Sequence, residues 1–179
     1  RYPGLGVGGY CLTKDPLMGK IADKIFLKDK LSFPLSLLAT QINKEMPLTS
    51  INLIKKFNNL KIKNKILIAG VSYKNEVGDT RHTPTKILYD FFFQKKCSIY
   101  LYDPYLSEWK ENKHNVNIYN SPPDVNVDLI IFATPHKNFK KFNFNKYVLK
   151  NKEVKIFDLN NIIPDKVSKK LKKNNIFFK

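Results

Sequence analysis

From Leu17 to about Leu60 the apolar residues return at spacings of three and four, the period of an amphipathic helix. Pro34 and Pro47 interrupt this stretch and predict breaks, because proline removes a helical donor and its ring clashes with the carbonyl four residues earlier. Just ahead of it, Asp15-Pro16 reads as a helix start, with a carboxylate for the orphan amides and a ring preset to the helical φ. After Asn58-Asn59 the period changes. Lys65-Ile-Leu-Ile-Ala-Gly70 is a short continuous apolar run ending on glycine, suited to a strand covered on both faces. Ser98 to Tyr102, Val116 to Tyr119, Val127 to Ala133, Val154 to Leu159 and Asn175 to Phe178 are further strand candidates. Helical patterns at Thr83 to Lys96, Asn138 to Leu149 and Ile162 to Leu171 lie between several of them.

Strands alternating with helices predict a parallel sheet wound on both faces, so the fold class is α/β, a helical segment followed by a doubly wound sheet. The expected division is residues 1–60 and residues 61–179. In such sheets ligands bind outside the carboxyl ends of the strands. That rule puts Gly70 to Thr80, Asp103-Pro104, Thr134 to His136 and Asp158 to Asn161 on one functional rim.

Composition narrows the function classes. The 179 residues carry a formal net charge of +17, which raises nucleic acid as a partner. Only Arg1 and Arg81 of the 32 basic residues are arginine, however, and bidentate reading of phosphates and bases prefers arginine. The excess is lysine, accompanied by 19 asparagines, a bias that an AT-rich coding sequence produces without selection for function. Runs such as Lys169 to Lys173 therefore read as solvated helix faces, and no nucleic-acid partner is expected. Apolar runs fall far short of the roughly 20 residues a membrane span requires, so no membrane partner is expected either. Cys11 and Cys97 are too few for a disulfide scaffold, which points to a reducing cytoplasm. His82, His114 and His136 are scattered, and no metal is expected. The chain begins at Arg1 with no leader pattern and reads as an internal piece of a longer protein.

Four of the seven glycines stand in the first nine residues, which implies close backbone approach to something. Gly4 to Gly9 has the spacing of a dinucleotide fingerprint, but neither a preceding strand nor a helix opening on it is predicted, so the match reads as a coincidence. More informative is Gly8-Gly-Tyr-Cys11-Leu-Thr-Lys14-Asp15-Pro16: a thiol beside a lysine, after a glycine loop, near a helix amino end. Such surroundings favour thiolate and make Cys11 a candidate nucleophile. Cys97, entering a strand, reads as core packing.

Gly6-Val-Gly-Gly-Tyr-Cys11-Leu-Thr-Lys14-Asp15 resembles the catalytic loop of the UDP-glucose/GDP-mannose dehydrogenase family, the nucleotide-sugar 6-dehydrogenases. Gly70-Val-Ser-Tyr-Lys74-Asn-Glu-Val-Gly-Asp79-Thr-Arg81-His-Thr-Pro84 is similar to its carboxyl-terminal signature. Tyr102-Asp-Pro104, Ala133-Thr-Pro-His136 and Phe157 to Ile162 echo it in order. The resemblance implies a central helical segment that forms a homodimer and a Rossmann-like UDP-sugar-binding domain, with the NAD domain lying before Arg1 and the fragment inactive alone. It implies oxidation of the C6 alcohol of a UDP-sugar to the uronate, with NAD as cofactor, through a cysteine thiohemiacetal and thioester, as a step in polysaccharide biosynthesis. Carried over, Cys11 is the nucleophile, Asp15 orients or deprotonates water, and Lys14 lies between thiolate and cofactor. Arg81 reaches the NAD pyrophosphate. Tyr2, Gly4, Leu5, Gly6 and Gly8 wrap the substrate by their backbone, and Tyr73 and Lys74 meet it.

Each role has a plainer counterpart: Asp15 as a helix cap, Tyr73 as core, His136 as packing at a strand end. Asn160 stands where many members carry an arginine, which removes one charged substrate contact while leaving an amide donor. The sugar is a UDP-N-acetylhexosamine or UDP-glucose, Pro16 and Tyr73-Lys74 favouring the former and Lys14 the latter. The competing readings are a non-catalytic UDP-sugar-binding module and, less favoured, a basic nucleic-acid binder.

Overall fold

The computed structural model describes residues 4–57, 64–110, 112, 116–172 and 177–178. Its sheet has six parallel strands: β1 (Lys65–Ala69), β2 (Ser98–Tyr102), β3 (Ile118–Tyr119), β4 (Leu129–Phe132), β5 (Lys155–Asp158) and β6 (Phe177–Phe178). Their spatial order is β3-β2-β1-β4-β5-β6, the doubly wound order of a Rossmann-like sheet. In register, Ile66 pairs with Ile99 on one side and Leu129 on the other.

Ile66 to Ala69 are completely buried, because each face of the sheet has its own core. Odd-numbered Leu67 and Ala69 join Ile130, Phe132, Ile156 and the rings of Phe139, Phe142, Phe144 and Tyr147. Even-numbered Ile66 and Ile68 join Leu129, Ile131, Leu88, Phe92 and Trp109 on the opposite face. Leu5, Ile51 and Ile54 from the preceding segment belong to that second core. At roughly 1.5–3 kcal/mol per buried large side chain, the two clusters supply the main driving force for folding.

Ahead of the sheet, the helical region differs from the sequence reading in three places. First, α1 spans Tyr10–Lys14 with Gly9 at its N-cap, so the helix opens on the glycine loop and not at Asp15-Pro16. Asp15 begins a 3-10 turn (Asp15–Leu17) and makes no capping bond with its side chain. Second, α2 (Met18–Ala22) runs into a π turn at Asp23–Leu27. There the buried Asp23 carboxylate accepts from the Leu31 amide at 3.0 Å. Third, α3 runs unbroken through Pro34–Phe57 with Pro47 inside it. Pro34 is tolerated because a first-turn residue needs no amide partner. Pro47 is buried, and its packing outweighs the lost hydrogen bond.

In the sheet domain, α4 (Thr85–Gln94) and α6 (Asp165–Lys172) form as expected. The pattern from Asn138 to Leu149 splits into a 3-10 turn (Lys137–Lys141) and α5 (Phe144–Lys150). The break falls at Phe142, whose backbone is extended and whose ring stacks on Tyr147 at 5.2 Å. Aromatic packing overrides helical continuity there. The strand expected to start at Asn175 is described only at Phe177–Phe178.

Candidate functional site

From the middle of the sheet the chain passes from β1 toward β2 on one side and from β4 toward β5 on the other. The loops after β1 and β4 therefore diverge and leave a crevice at the carboxyl edge. The loop after β1 begins at Gly70, whose φ of 101° suits glycine and whose missing side chain lets Thr134 approach, a Cβ there lying 2.6 Å from that of Thr134. Thr134 Oγ1 donates to the Ser72 carbonyl at 2.6 Å, tying the two loops together.

A fully buried carboxylate organises the floor of this crevice. Asp103 Oδ2 accepts from the Val71 amide at 2.8 Å, the Ser72 amide at 2.9 Å and the Ser72 hydroxyl at 2.8 Å, while Oδ1 accepts from the Tyr105 amide at 3.0 Å. His136 Nε2 lies 3.2 Å from Oδ2. The Glu76 amide donates to His136 Nδ1 at 3.0 Å and needs a lone pair there, so the ring proton belongs on Nε2 and is donated to Asp103. Burial works against ionisation of Asp103, but the hydrogen bonds from His136 and from the Ser72 and Tyr105 amides outweigh it and hold its carboxyl below the ordinary value. Glu76, at φ 60°, accepts from the Lys137 amide at 2.8 Å, a bond that holds its own carboxyl low. This network fixes the loop that carries Tyr73 and Lys74.

The glycine loop lies across the same crevice. A Cβ on Gly8 would meet the His82 carbonyl and the Tyr73 Cβ at 2.6 Å, and one on Gly9, at φ 82°, would meet the Tyr73 ring at 2.8 Å. The Gly9 amide donates to the Arg81 carbonyl at 2.9 Å. Between the loops a cavity of about 350 Å³ is lined by Gly6, Gly8, Tyr73, Lys74, Thr134 and Asn160. A second cavity, about 500 Å³, lies on the other side of Val7, among Tyr10 and Lys14 of α1, Asn43 and Lys44 of α3, Arg81, and Lys86 of α4. Both have the size of small-ligand sites.

The structure brings together Gly6, Gly8, Tyr73 and Lys74 in the first cavity and Lys14 and Arg81 in the second. Gly4 abuts the Asn160 side chain. The Leu5 side chain is core, because the loop enters the molecule through the second cluster, which leaves its backbone for the contact expected of it. Tyr2 lies outside the described residues. Cys11 is exposed on the first turn of α1 and lines neither cavity, nor does Asp15. Lys14 Nζ pairs with Asp15 Oδ1 at 2.5 Å, and this hydrogen bond raises the lysine pKa. Arg81 holds Asp79 through Nε at 2.9 Å and a terminal nitrogen at 2.5 Å, so this edge of its fork is already committed. The Arg81 hydrogen bond outweighs partial burial and keeps the Asp79 carboxyl low.

Asn160 differs from its sequence reading as well. Its amide donates to the Phe132 and Ala133 carbonyls at 3.2 and 2.8 Å, so the donor left at this position is spent on the end of β4. Cys97 is half-buried, and burial pushes its thiol pKa up, in line with packing. Sequence reasoning placed Asp103 on the rim, directly after a strand that ends in tyrosine, without giving it a role, and did not single out Asn43.

Residues 67–165 match the model of the UDP-glucose/GDP-mannose dehydrogenase family, UDP binding domain. The chain is 34% identical over 163 residues to a UDP-N-acetyl-D-mannosamine dehydrogenase of Methanococcus aeolicus, covering 85% of this chain and 34% of that protein. It is 27% identical over 174 residues to a UDP-glucose 6-dehydrogenase of Rickettsia prowazekii, covering 94% of this chain and 39% of the relative. Among solved structures, the UDP-D-ManNAc dehydrogenase of Pyrococcus horikoshii superposes with a TM-score of 0.69 at 28% identity, over 90% of this chain and 37% of that one. An NDP-N-acetyl-D-galactosaminuronic acid dehydrogenase from Methanosarcina mazei shares the fold at a TM-score of 0.84 and 24% identity, over 99% of this chain and 38% of that one. The chain thus spans little more than a third of the length of these relatives. With the matched sheet, the crevice at its switch point and the glycine loop closing over it, the chain belongs to the UDP-glucose/GDP-mannose dehydrogenase family.

Proposed function

We propose that this chain supplies the catalytic-cysteine loop, the central helix and the UDP-sugar site of an NAD-dependent nucleotide-sugar 6-dehydrogenase. One observation carries the reading: Gly6, Val7 and Gly8, in the loop that leads into α1 and its Cys11, line the same cavity as Tyr73 and Lys74 at the switch point of the sheet. Residues 1–60 provide the nucleophile and helical segment, and residues 61–179 hold the UDP-sugar. The substrate is a UDP-N-acetylhexosamine in preference to UDP-glucose, since the relatives at 33–34% identity are named for the former.

The cofactor reading is tested by the second cavity. Lys14, Lys44, Arg81 and Lys86 surround it, and the Arg81 guanidinium lies 5.0 Å from the centre of the Tyr10 ring. A cationic edge of this kind fits the pyrophosphate of a dinucleotide, with Arg81 and Lys14 as its holders. NAD, when bound, supplies the hydride acceptor for two oxidations at C6. The chain's own chemistry is covalent: the Cys11 sulfur adds to the C6 aldehyde, and the carbonyl oxygen of the resulting thiohemiacetal takes up a proton. After C6 gives up a hydride and that oxygen its proton, a thioester remains. Water then adds, the C–S bond breaks, and the uronate and the free thiol leave. Asp15, four residues after Cys11 and paired with Lys14, is the group this reading gives the task of orienting that water. The backbone of Gly6 and Gly8 lets the diphosphate of the substrate approach closely.

The exposed apolar residues of the helical segment, Leu35, Leu38, Ile42 and Leu48 on α3 among them, support a homodimer through this segment. Among the described residues no helix is long and apolar enough to cross a membrane. The decisive experiment counts NADH released per UDP-sugar by the full-length protein. Two per sugar, lost in Cys11→Ala, is the expected result. UDP bound with no NADH from any sugar overturns the enzyme reading and leaves a binding module.

A further inference from the structure

We propose that Asn43 on α3 is a positioning residue for the cysteine loop, through a two-bond clamp on the Val7 backbone. Its Oδ1 accepts from the Val7 amide at 2.8 Å and its Nδ2 donates to the Val7 carbonyl at 2.8 Å, across 36 residues of chain. The carboxamide thus takes the place of a neighbouring strand. It satisfies both polar groups of a residue whose glycine neighbours offer no side chain for packing.

Val7 is the place where such a clamp has the greatest effect, because it lines both cavities and forms part of the wall between them. On its carboxyl side only Gly8 and Gly9 separate it from α1, which holds Cys11. Gly6 and Gly9 have φ values of 141° and 82°, so the loop lacks the steric limits that would hold it in place by itself. Beside it the loop is held by the buried Leu5 side chain, by Gly8 against Tyr73 and by the Gly9 amide on the Arg81 carbonyl, and the two hydrogen bonds of Asn43 hold Val7 between them.

Pro47 accounts for the local helix. It stands four residues after Asn43 and has no amide to donate to the Asn43 carbonyl, which frees that turn from one bond of the helical ladder. Asn43 and Pro47 both line the larger cavity. The requirement for one donor and one acceptor at fixed spacing explains asparagine: aspartate lacks the donor, and leucine, of similar size, lacks both.

The clamp rests on the reading of Cys11 as nucleophile, and the test separates the two. In the full-length protein, Asn43→Asp and Asn43→Leu should lower kcat by about 10- to 100-fold, the scale of a misplacement of about 1 Å. The Kd for UDP should weaken by a smaller factor than kcat falls, since the Gly6–Gly8 wall of the cavity shifts while Tyr73, Lys74 and the Asp103 network stay in place. Hydrogen exchange over residues 4–10 should quicken at least about tenfold in both variants. The proposal is overturned by a kcat within about twofold of wild type, by unchanged exchange over residues 4–10, or by loss of UDP binding in parallel with kcat. Failure of the covalent reading shows elsewhere, as a Cys11→Ala protein that still releases two NADH per sugar.

Discussion

Replacing Asp103 should cost this protein a large part of its stability, and the structure sets the size of the effect. Five donors converge on the carboxylate: the Val71, Ser72 and Tyr105 amides, the Ser72 hydroxyl and His136 Nε2. Val71, Ser72 and His136 are buried, so Asp103→Ala leaves four buried donors unpaired at about 1 kcal/mol each at the low end. The expected loss is about 4 kcal/mol or more, against a total of roughly 5–15 kcal/mol for a domain. Asp103→Asn keeps the shape and one acceptor but loses the charge and turns an amide toward donors, for an expected loss of about 2 kcal/mol. The folded-state pKa of Asp103 lies below the unfolded value, so its ionisation stabilises the fold above the ordinary aspartate range near 3.9 and ceases to as pH falls through the folded value. Urea unfolding of wild type and both variants from pH 7 to pH 3, followed by circular dichroism, gives the comparison. The gap between wild type and Asp103→Asn should be constant from pH 7 to about pH 5 and close in acid. A gap under about 0.5 kcal/mol at pH 7, or one that widens in acid, refutes the reasoning.

Gly70→Ala combines a φ of 101° with a clash against Thr134 and should destabilise by about 3 kcal/mol or more, measured as a fall in the urea midpoint, whereas alanine at exposed Gly78 serves only as a weaker comparison because it meets the Tyr105 carbonyl. Tyr147, whose hydroxyl donates to the Pro123 carbonyl at 2.7 Å, has its pKa pushed up to about 12 by burial. Its neutral form therefore supports the fold fully below about pH 10, and this support is lost as pH rises through 12; absorbance titration should show one tyrosine ionising last, absent in Tyr147→Phe, which itself costs about 1 kcal/mol.

How much of this was legible in the chain depends on the range of the interactions involved. Continuous apolar runs such as Lys65 to Gly70 announce buried parallel strands, because a strand covered on both faces has no polar positions to alternate. The glycine loop with Cys11, and the Tyr73-Lys74 pair after β1, were visible because their spacing is local. The helix start at Tyr10 was hidden by a stronger capping pair at Asp15-Pro16, and the unbroken α3 by a proline whose burial against the rest of the molecule outweighs its helical cost. The split before α5 was decided by the Phe142 ring, which periodicity counts as one more apolar position.

By itself the sequence determined the strand and helix alternation, the class of sheet, the rim that carries the crevice and the candidate nucleophile, since each follows from neighbours within a few residues. Tertiary structure alone decided the rest. It spent the Asn160 amide on β4 and the Arg81 fork on Asp79, buried Leu5, made Asp103 and His136 the frame of the loop after β1, and set Asn43 on Val7. A side chain with several donors or acceptors serves whichever partners folding places within about 3 Å, and for Asp103 and Asn43 all of those partners but the Tyr105 amide come from more than 30 residues away.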